Sequence, residues 1–176
     1  MISSLCVFHT SSRLLFVHPE TGAMSSSEPE KTRAGKKVKI FSYVVGNTHD
    51  SHKKFLKKLR KSGAKVVLEQ AKSSAVIVFC PIVSRFTTDV ESALSGISGN
   101  PKIILVAMHH TYDPNYTLPD HRNVDNCHVV KVVECLFFEK KGLLKCSRNK
   151  RAVKLVCEQL GLRNKILTFK GKDKAV

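Results

Sequence analysis

The sequence predicts a single α/β domain whose sheet is mostly parallel and five-stranded, with helices on both faces. Three observations lead to this fold class. Apolar segments alternate along the chain with amphipathic segments of helical period. The two central apolar segments, 75–80 and 103–108, hold no polar residue, as expected of strands that are covered on both faces. The chain has 176 residues, which is the size of one domain.

The first half of the domain is expected to hold three strands and one helix. β-Branched and aromatic residues predict a strand over 38–45, which the turn residue Gly46 ends. An apolar stripe predicts the first helix over 50–62. A short strand is expected over 66–68 and a fully apolar strand over 75–80.

The second half is expected to add a helix, two strands and a final helix. Pro81 is expected to close the third strand, and the capping-box pattern Thr88-Asp89-Val90-Glu91 predicts a helix that begins near Thr88. Apolar runs predict strands over 103–108 and 129–138, and inward positions at helical spacing predict the last helix over 147–160.

Right-handed crossovers restrict how these strands can be ordered. We expect the order 2-1-3-4-5, which gives a three-layer, Rossmann-like or flavodoxin-like sandwich with the first and last helices on one face and the middle helix on the other. The link over 69–74 is too short for a crossover helix. Either that helix has shrunk to a loop, or the second strand is misplaced.

Residues 37–161 are expected to form the folded domain. We expect 1–36 to be a disordered extension, in which 1–23 are either a transit segment or precede an alternative start at Met24, and 162–176 to be a basic tail. No apolar run is long enough to span a membrane, and six cysteines without a C-x-x-C pair indicate reduced thiols rather than a zinc site. A cytoplasmic or nuclear protein is therefore expected.

The chain is strongly basic. It has 30 Lys and Arg residues against 14 Asp and Glu residues, which gives a net charge of +16. Such a charge attracts nucleic acid, anionic lipid head groups or acidic protein surfaces, but it does not identify which of them binds.

Much of this charge is expected on the first and last helices, which lie side by side in the predicted order. Aromatic residues do not alternate with the basic ones, so base stacking is not indicated, and contact with phosphates or an acidic surface fits better. The alternative is an ordinary solvated helix face. The predicted basic face comprises Lys53, Lys54, Lys57, Lys58, Arg60, Lys61, Arg148, Lys150, Arg151 and Lys154, with Lys140, Lys141 and Lys145 before the last helix.

A ligand site is expected at the carboxyl ends of the strands, between the first and third strands, where the order of an open parallel sheet reverses. Free backbone N–H groups at the start of the first helix favour an anion such as phosphate. Neither G-x-G-x-x-G nor a P-loop motif occurs, so these two nucleotide-binding motifs are excluded, and Gly46 is also explained as a simple turn residue. The expected ligand-binding residues are Gly46, Asn47, Thr48, His49, Ser84, Arg85, Thr87 and Thr88.

The candidate catalytic residues are Glu91, His109 and His110. Glu91 either completes the capping box or faces the crevice as a general base or ribose ligand. His109 and His110 are consecutive on a strand and point to opposite faces, so at most one of them faces the crevice. The other histidines and carboxylates around 111–128 have no metal-ligand spacing, so neither a metal nor a cofactor is expected.

The long polar segment 111–127 is a further candidate. Structureless loops of this length are uncommon in compact domains and are often functional. Tyr112, Tyr116 and Arg122 are placed to close over a ligand; alternatively, the segment replaces a lost helix.

Residues 74–106 hold an apolar strand, a short loop, the T-x-x-E motif that opens a helix, and a second apolar strand. This arrangement resembles part of nucleoside deoxyribosyltransferase-like and Toll/interleukin-receptor-like domains, and the resemblance implies a catalytic carboxylate at Glu91. The glycine usual in the transferase loop is replaced by Phe86-Thr87-Thr88. Over the full chain, 78–85, 108–111 and 135–137 resemble small vertebrate α/β proteins, chiefly from fish, which implies a host compartment and no chemistry.

These features predict a non-enzymatic binding or adaptor domain whose basic face meets an acidic protein or a polyphosphate. The alternative is a nucleotide-binding or nucleoside- or NAD-processing enzyme, an N-glycosidic hydrolase or transferase, that uses Glu91 in the crevice. Nonspecific nucleic-acid binding is a third hypothesis, and it predicts affinity that falls steeply with salt.

Overall fold

The computed structural model describes residues 37–119 and 124–162. The strands in these ranges are β1 (Val38–Val44), β2 (Ala64–Val67), β3 (Ala75–Ile82), β4 (Ile103–His110), β5 (Val129–Phe138) and β6 (Gly142–Leu143). The α-helices are α1 (Ser51–Lys61), α2 (Phe86–Ser95) and α3 (Ser147–Gln159), and a short 3-10 helix covers Gln70–Lys72. None of the helices in this described part is long and apolar enough to cross a membrane.

The strands form one sheet in the order β2-β1-β3-β4-β5-β6. Each neighbouring pair from β2 to β5 is parallel, and β6 pairs with β5 in the antiparallel direction. The α/β class and the mostly parallel sheet are therefore confirmed. The sheet has six strands where five were expected, because the chain turns back after Phe138 and adds a two-residue edge strand.

The link between β2 and β3 resolves the alternative that the sequence left open. β2 exists, but it covers Ala64–Val67 and ends before Leu68, whose side chain is 95% exposed. The crossover helix is reduced to the 3-10 helix over Gln70–Lys72. The Gln70 side chain donates a hydrogen bond to the Ser98 carbonyl at 2.7 Å, just after the C-terminal end of α2. The link therefore runs on the same side of the sheet as α2.

Two apolar cores lie on opposite faces of the sheet. On one face, Phe55 and Leu59 of α1 and Val153 and Val156 of α3 pack with the β3 residue Phe79. On the other face, α2 buries Val90 and Ala93 against alternate residues of β3 and β4. Burying one such large apolar side chain contributes about 1.5–3 kcal/mol, so these stripes fix which face each helix covers.

Pro81 lies inside β3 and does not end it, which corrects the expected end of this strand. The residues of a strand direct their backbone N–H and C=O groups alternately to its two sides. The carbonyl of Phe79 accepts the N–H of Val45 at 3.0 Å and therefore points toward β1. The backbone nitrogen of Pro81, two residues further on, points to the same side. β1 has ended at this point, so no β1 carbonyl is left without a donor by the proline. The hydrogen bonds between β3 and β4 are unaffected, because the proline nitrogen faces away from β4.

α2 begins at Phe86, ahead of the expected Thr88, and the predicted capping box does not form. Instead, the Asp89 carboxylate accepts the backbone N–H groups of Val83 and Ser84 at 2.8 and 2.9 Å. It also accepts the Ser84 hydroxyl at 2.9 Å. These bonds hold the loop before α2 against its first turn, so the helix begins earlier than the sequence pattern predicts.

Candidate functional site

A crevice lies at the carboxyl ends of the strands, where the sequence predicts a ligand site. Its volume is about 500 Å³. Four segments converge on it, as expected for the carboxyl ends of parallel strands: the loop after β1 and the ends of β3, β4 and β5. We call this cavity the strand-end crevice; it is lined by Asn47, His49, Pro81, Ile82, Val83, His110, Phe137 and Glu139.

The loop after β1 is held tightly by its own bonds. Gly46 has a φ of 60°, and a Cβ built there would lie 3.2 Å from Cγ of Pro81. His49 and Asp50 also adopt left-handed conformations, with φ of 45° and 59°, and Asn47 Oδ1 accepts the His49 N–H at 2.9 Å. The positive φ of Gly46 and the close approach of Pro81 support the interpretation of Gly46 as a turn residue.

Two of the backbone donors at the start of α1, expected to be free for a phosphate, are already bonded within the chain. The N–H of Ser51 donates to the Thr48 carbonyl at 2.9 Å, and the N–H of Lys53 donates to the Asp50 carbonyl at 3.0 Å. Thr48 itself is buried, and its hydroxyl bonds Nδ1 of His52. The Asp50 carboxylate, which pairs with the Lys53 ammonium at 2.9 Å, already occupies this positive end with a negative charge.

The two consecutive histidines separate as expected. His110 lines the strand-end crevice, where its Nε2 lies 2.7 Å from Glu139 Oε2 and its ring contacts Phe137 edge-on at 5.3 Å. His109 is 8% exposed, and its Nε2 lies 3.3 Å from Glu134 Oε2. One histidine therefore faces the crevice, and its neighbour on β4 is part of a buried pair.

Glu91 does not join His110, which corrects the expected position of the candidate carboxylate. It is exposed on α2 and lines another cavity, of about 410 Å³, together with Thr87 and the segment 124–126. This cavity lies between α2 and the segment 124–126, and Val90 and Leu94 of α2 also line it. Glu91 and His110 therefore line different cavities.

The remaining predicted ligand residues of the α2 loop also lie outside the crevice lining. Ser84 is held by Asp89, as described above. Arg85 and Thr88 are exposed and are absent from the lining of the crevice. Asn47 and His49 are therefore the expected ligand residues that line it.

A third cavity is larger than the two described above and is rich in lysine. It lies between α1 and the turn and edge strand that follow β5, and its volume is about 730 Å³. Six lysines surround it, four from α1 and two from the hairpin and its exit. We call it the lysine groove; it is lined by Lys54, Lys57, Lys58, Lys61, Tyr112, Pro114, Lys141, Leu143, Leu144 and Lys145.

The wall of the lysine groove is cross-linked by one of its own lysines. Nζ of Lys54 donates to the Lys141 carbonyl at 2.6 Å, so this side chain crosses from α1 to the hairpin. It passes over Gly142, where a Cβ would lie 2.6 Å from Nζ. Gly142 also has a φ of 69°, so glycine at this position satisfies both the turn and the crossing.

The charge of the lysine groove is not neutralised by the part of the protein that the structure describes. Within 37–119 and 124–162, no carboxylate forms an ion pair with any of the six lysines. Other basic residues of the predicted face are paired: Lys53 with Asp50, and Lys154 with Glu158 at 3.7 Å. The six groove lysines therefore form a cluster of positive charge that is not paired with any described carboxylate.

The predicted basic face is thus divided. Arg148 and Arg151 line a separate cavity of about 440 Å³ beside Tyr116, which we call the arginine cavity. It shares Pro114 with the lysine groove, so the loop after β4 borders both. Arg60 and Lys150 are exposed and line neither. Arg122, expected to close over a ligand, lies outside the described residues.

Sequence reasoning missed Lys141 and Lys145 as the second wall of a site. Their role depends on β6, whose two residues are too few to show a strand pattern. The usable signal was Gly142 directly after a charged pair at the end of a strong strand pattern, because such a glycine marks a hairpin turn.

Four of the five cysteines in the described ranges are buried, and Cys127 is exposed. Cys80, Cys135 and Cys157 are buried, as expected, and burial raises the pKa of each thiol, that of Cys80 to about 11. Thiolates are therefore disfavoured at neutral pH. Among the described residues, no group of three potential ligands is arranged to hold a metal ion.

No protein-family model, curated protein or solved structure matches this chain. The resemblances to deoxyribosyltransferase-like and Toll/interleukin-receptor-like domains and to the small fish proteins therefore remain predictions. Function has to be inferred from the charge and geometry of the cavities.

Proposed function

We propose that this chain is a non-enzymatic binding domain whose lysine groove holds an acidic protein segment or a phosphate-bearing ligand. One observation carries the proposal: six lysines from two separate elements surround a single concave site. We further propose a Rossmann-like or flavodoxin-like classification and a cytoplasmic or nuclear location, which the five free cysteines in the described ranges support.

The physical reason is the mutual repulsion of the lysine ammonium groups. Like charges that share one cavity repel one another, and the protein between them screens this repulsion less than water does. An anion that enters the cavity replaces repulsion by attraction and is surrounded by several donors at once. We therefore expect the lysine groove to bind anions more tightly than the exposed lysines elsewhere on the surface.

Nonspecific nucleic-acid binding explains this geometry less well. A duplex presents phosphates along an extended surface, and proteins meet it with basic residues on an exposed face. Here the six lysines, five of them exposed, surround one concave groove of about 730 Å³. A short acidic segment or a small phosphate-bearing molecule fits such a site better than a duplex does.

The test compares two double charge reversals that change the net charge equally. Lys57→Glu with Lys61→Glu alters the groove, and Lys65→Glu with Lys102→Glu alters exposed lysines outside its lining. Binding of inorganic tripolyphosphate and of a decaglutamate peptide to the full chain is measured by isothermal titration calorimetry. The groove variant is expected to lose about tenfold or more in affinity for both ligands, which corresponds to about 1.4 kcal/mol.

The control variant is expected to bind within about threefold of the wild-type chain, because distant exposed charges are screened by salt. Equal losses in both variants would show that binding follows the net charge alone, and the proposal would then be wrong. Absence of any binding by the wild-type chain at low salt would have the same meaning.

A further inference from the structure

We infer that the ligand of the lysine groove is a nucleoside polyphosphate or a similar small molecule that joins several phosphates to a planar, largely apolar body. This inference rests on the proposed function and narrows it, because it chooses a compact organic phosphate over an acidic protein segment. Three features of the groove support it: its mixed lining, the number of its ammonium groups, and its preformed wall.

The lining has two chemically different parts. The six lysines provide the positive part, and Leu143, Leu144, Pro114 and the Tyr112 ring provide an apolar part. Tyr112 is 74% exposed, so most of its ring is open to a second planar group. A polymer of carboxylates would use the lysines and leave this apolar part in water, whereas a phosphorylated aromatic body would cover both parts.

The number of ammonium groups in the lining also suits a polyphosphate. Every cationic side chain in the lining is lysine, and arginine is confined to the neighbouring arginine cavity. Arginine forms a planar fork that suits both carboxylates and phosphates, and lysine binds phosphate as a compact point charge. Several ammonium groups around one cavity match the several charges of a single polyphosphate.

The size and rigidity of the groove point to a compact ligand. Small-molecule sites have volumes of roughly 300–1,000 Å³, and the lysine groove, at about 730 Å³, lies within this range. The bond from Lys54 Nζ to the Lys141 carbonyl holds the two walls together without a ligand. A site that is already formed loses less conformational entropy on binding a rigid small molecule.

The experiment separates the contribution of the phosphates from that of the organic body. The full chain is titrated with inorganic tripolyphosphate, ATP and GTP, each without divalent metal, and with the decaglutamate peptide. We expect ATP or GTP to bind about tenfold tighter than tripolyphosphate, because only the nucleotides can cover the apolar part of the lining.

A pair of tyrosine variants then tests the stacking partner. Tyr112→Ala is expected to remove the advantage of the nucleotide and to leave the affinity for tripolyphosphate within about twofold. Tyr116→Ala, in the arginine cavity, is the matched control and is expected to preserve the advantage. Circular dichroism of both variants confirms that each is folded; both side chains are exposed, so the fold does not depend on them.

The outcomes distinguish this inference from the proposed function. If tripolyphosphate binds through the lysines but neither nucleotide binds more tightly, the inference is wrong and the proposed function stands. If decaglutamate binds more tightly than all three phosphates, the ligand is an acidic protein segment and the inference is again wrong. If none of the four ligands binds, both fail together.

Discussion

The side-chain amide of Asn149 binds the backbone of Leu136 in both directions, with its Oδ1 accepting the Leu136 N–H at 2.8 Å and its Nδ2 donating to the Leu136 carbonyl at 2.7 Å. Asn149 thus extends the hydrogen bonding of β5 with a side chain from α3. Its Nδ2 also donates to the Leu144 carbonyl at 2.8 Å, so one buried amide joins α3, β5 and the chain after β6.

Replacing Asn149 is therefore expected to destabilise the fold. Asn149→Ala removes the partner of the Leu136 N–H and of the Leu144 carbonyl, each at a cost of about 1–3 kcal/mol, whereas the Leu136 carbonyl keeps its bond from the Leu144 N–H. We expect a total loss of about 2–4 kcal/mol in the free energy of unfolding, measured by urea denaturation. Asn100→Ala, at an exposed position, is the control and should change it by less than about 0.5 kcal/mol. A loss in Asn149→Ala no larger than in the control would show that the amide bonds do not hold these elements together.

Gly142 and Gly99 allow the crossing of Lys54 to be tested apart from backbone strain. Both glycines have left-handed φ angles, 69° and 73°, but a Cβ at Gly99 would meet nothing within 4 Å, whereas one at Gly142 would displace Lys54. Substitution by alanine should cost about 1–2 kcal/mol of stability at either position. Only Gly142→Ala should also weaken binding of tripolyphosphate, measured by calorimetry, because only it moves a groove lysine. Equal affinities in the two variants would exclude a role for the Lys54 crossing in binding.

Anion binding should raise the thermal stability of the chain. A ligand at 100 times its Kd that binds only the folded state stabilises it by about 2.7 kcal/mol. For a protein of this size that corresponds to a rise of roughly 5–10 °C in Tm, measured by differential scanning fluorimetry with tripolyphosphate. The Lys57→Glu, Lys61→Glu variant should show little of this rise, and a full rise in that variant would place the bound anion elsewhere.

Acid should remove the contribution of Asp89. Burial opposes ionisation of this carboxyl, but the hydrogen bonds from Ser84 and Val83 outweigh it, so its pKa lies below the usual 3.8. A depressed carboxyl pKa contributes stability above the unfolded-state pKa, and that stability is lost as pH falls through the folded-state value. Asp89→Asn should therefore be less stable than the wild-type chain at pH 6, and the difference should shrink below pH 3.8. Urea denaturation across this range measures it, and a difference that is constant with pH would contradict the assignment.

β5 and β6 mark how far local sequence pattern predicts this fold. β5 was predicted over the residues it occupies, because ten consecutive residues of high strand propensity leave little choice. β6 has two residues, and it is a strand only because the chain folds back onto β5. Since β6 carries one wall of the lysine groove, the sequence predicted the lysines of α1 but not the cavity that they share with Lys141 and Lys145.

The α2 loop shows a second limit. A capping-box pattern at Thr88 predicts a helix start from residues three apart, yet the start depends on Asp89 bonding backwards to Val83 and Ser84. The location of the strand-end crevice was nevertheless predictable, because it follows from strand direction alone. Which side chains line the crevice depends on how each helix is turned about its axis, and local pattern does not fix this. Glu91, for example, lines another cavity.

The reduced link between β2 and β3 has a practical consequence for anyone who wishes to label this protein. It runs on the side of the sheet that carries α2, whereas the lysine groove belongs to α1 on the opposite side. Ala71 and Lys72 are exposed, while the neighbouring Gln70 and Ser74 bond to Ser98 and Lys39 and hold the link in place. A fluorophore attached to the side chain at position 71 would therefore lie on the face opposite the lysine groove and leave the proposed anion site open to titration.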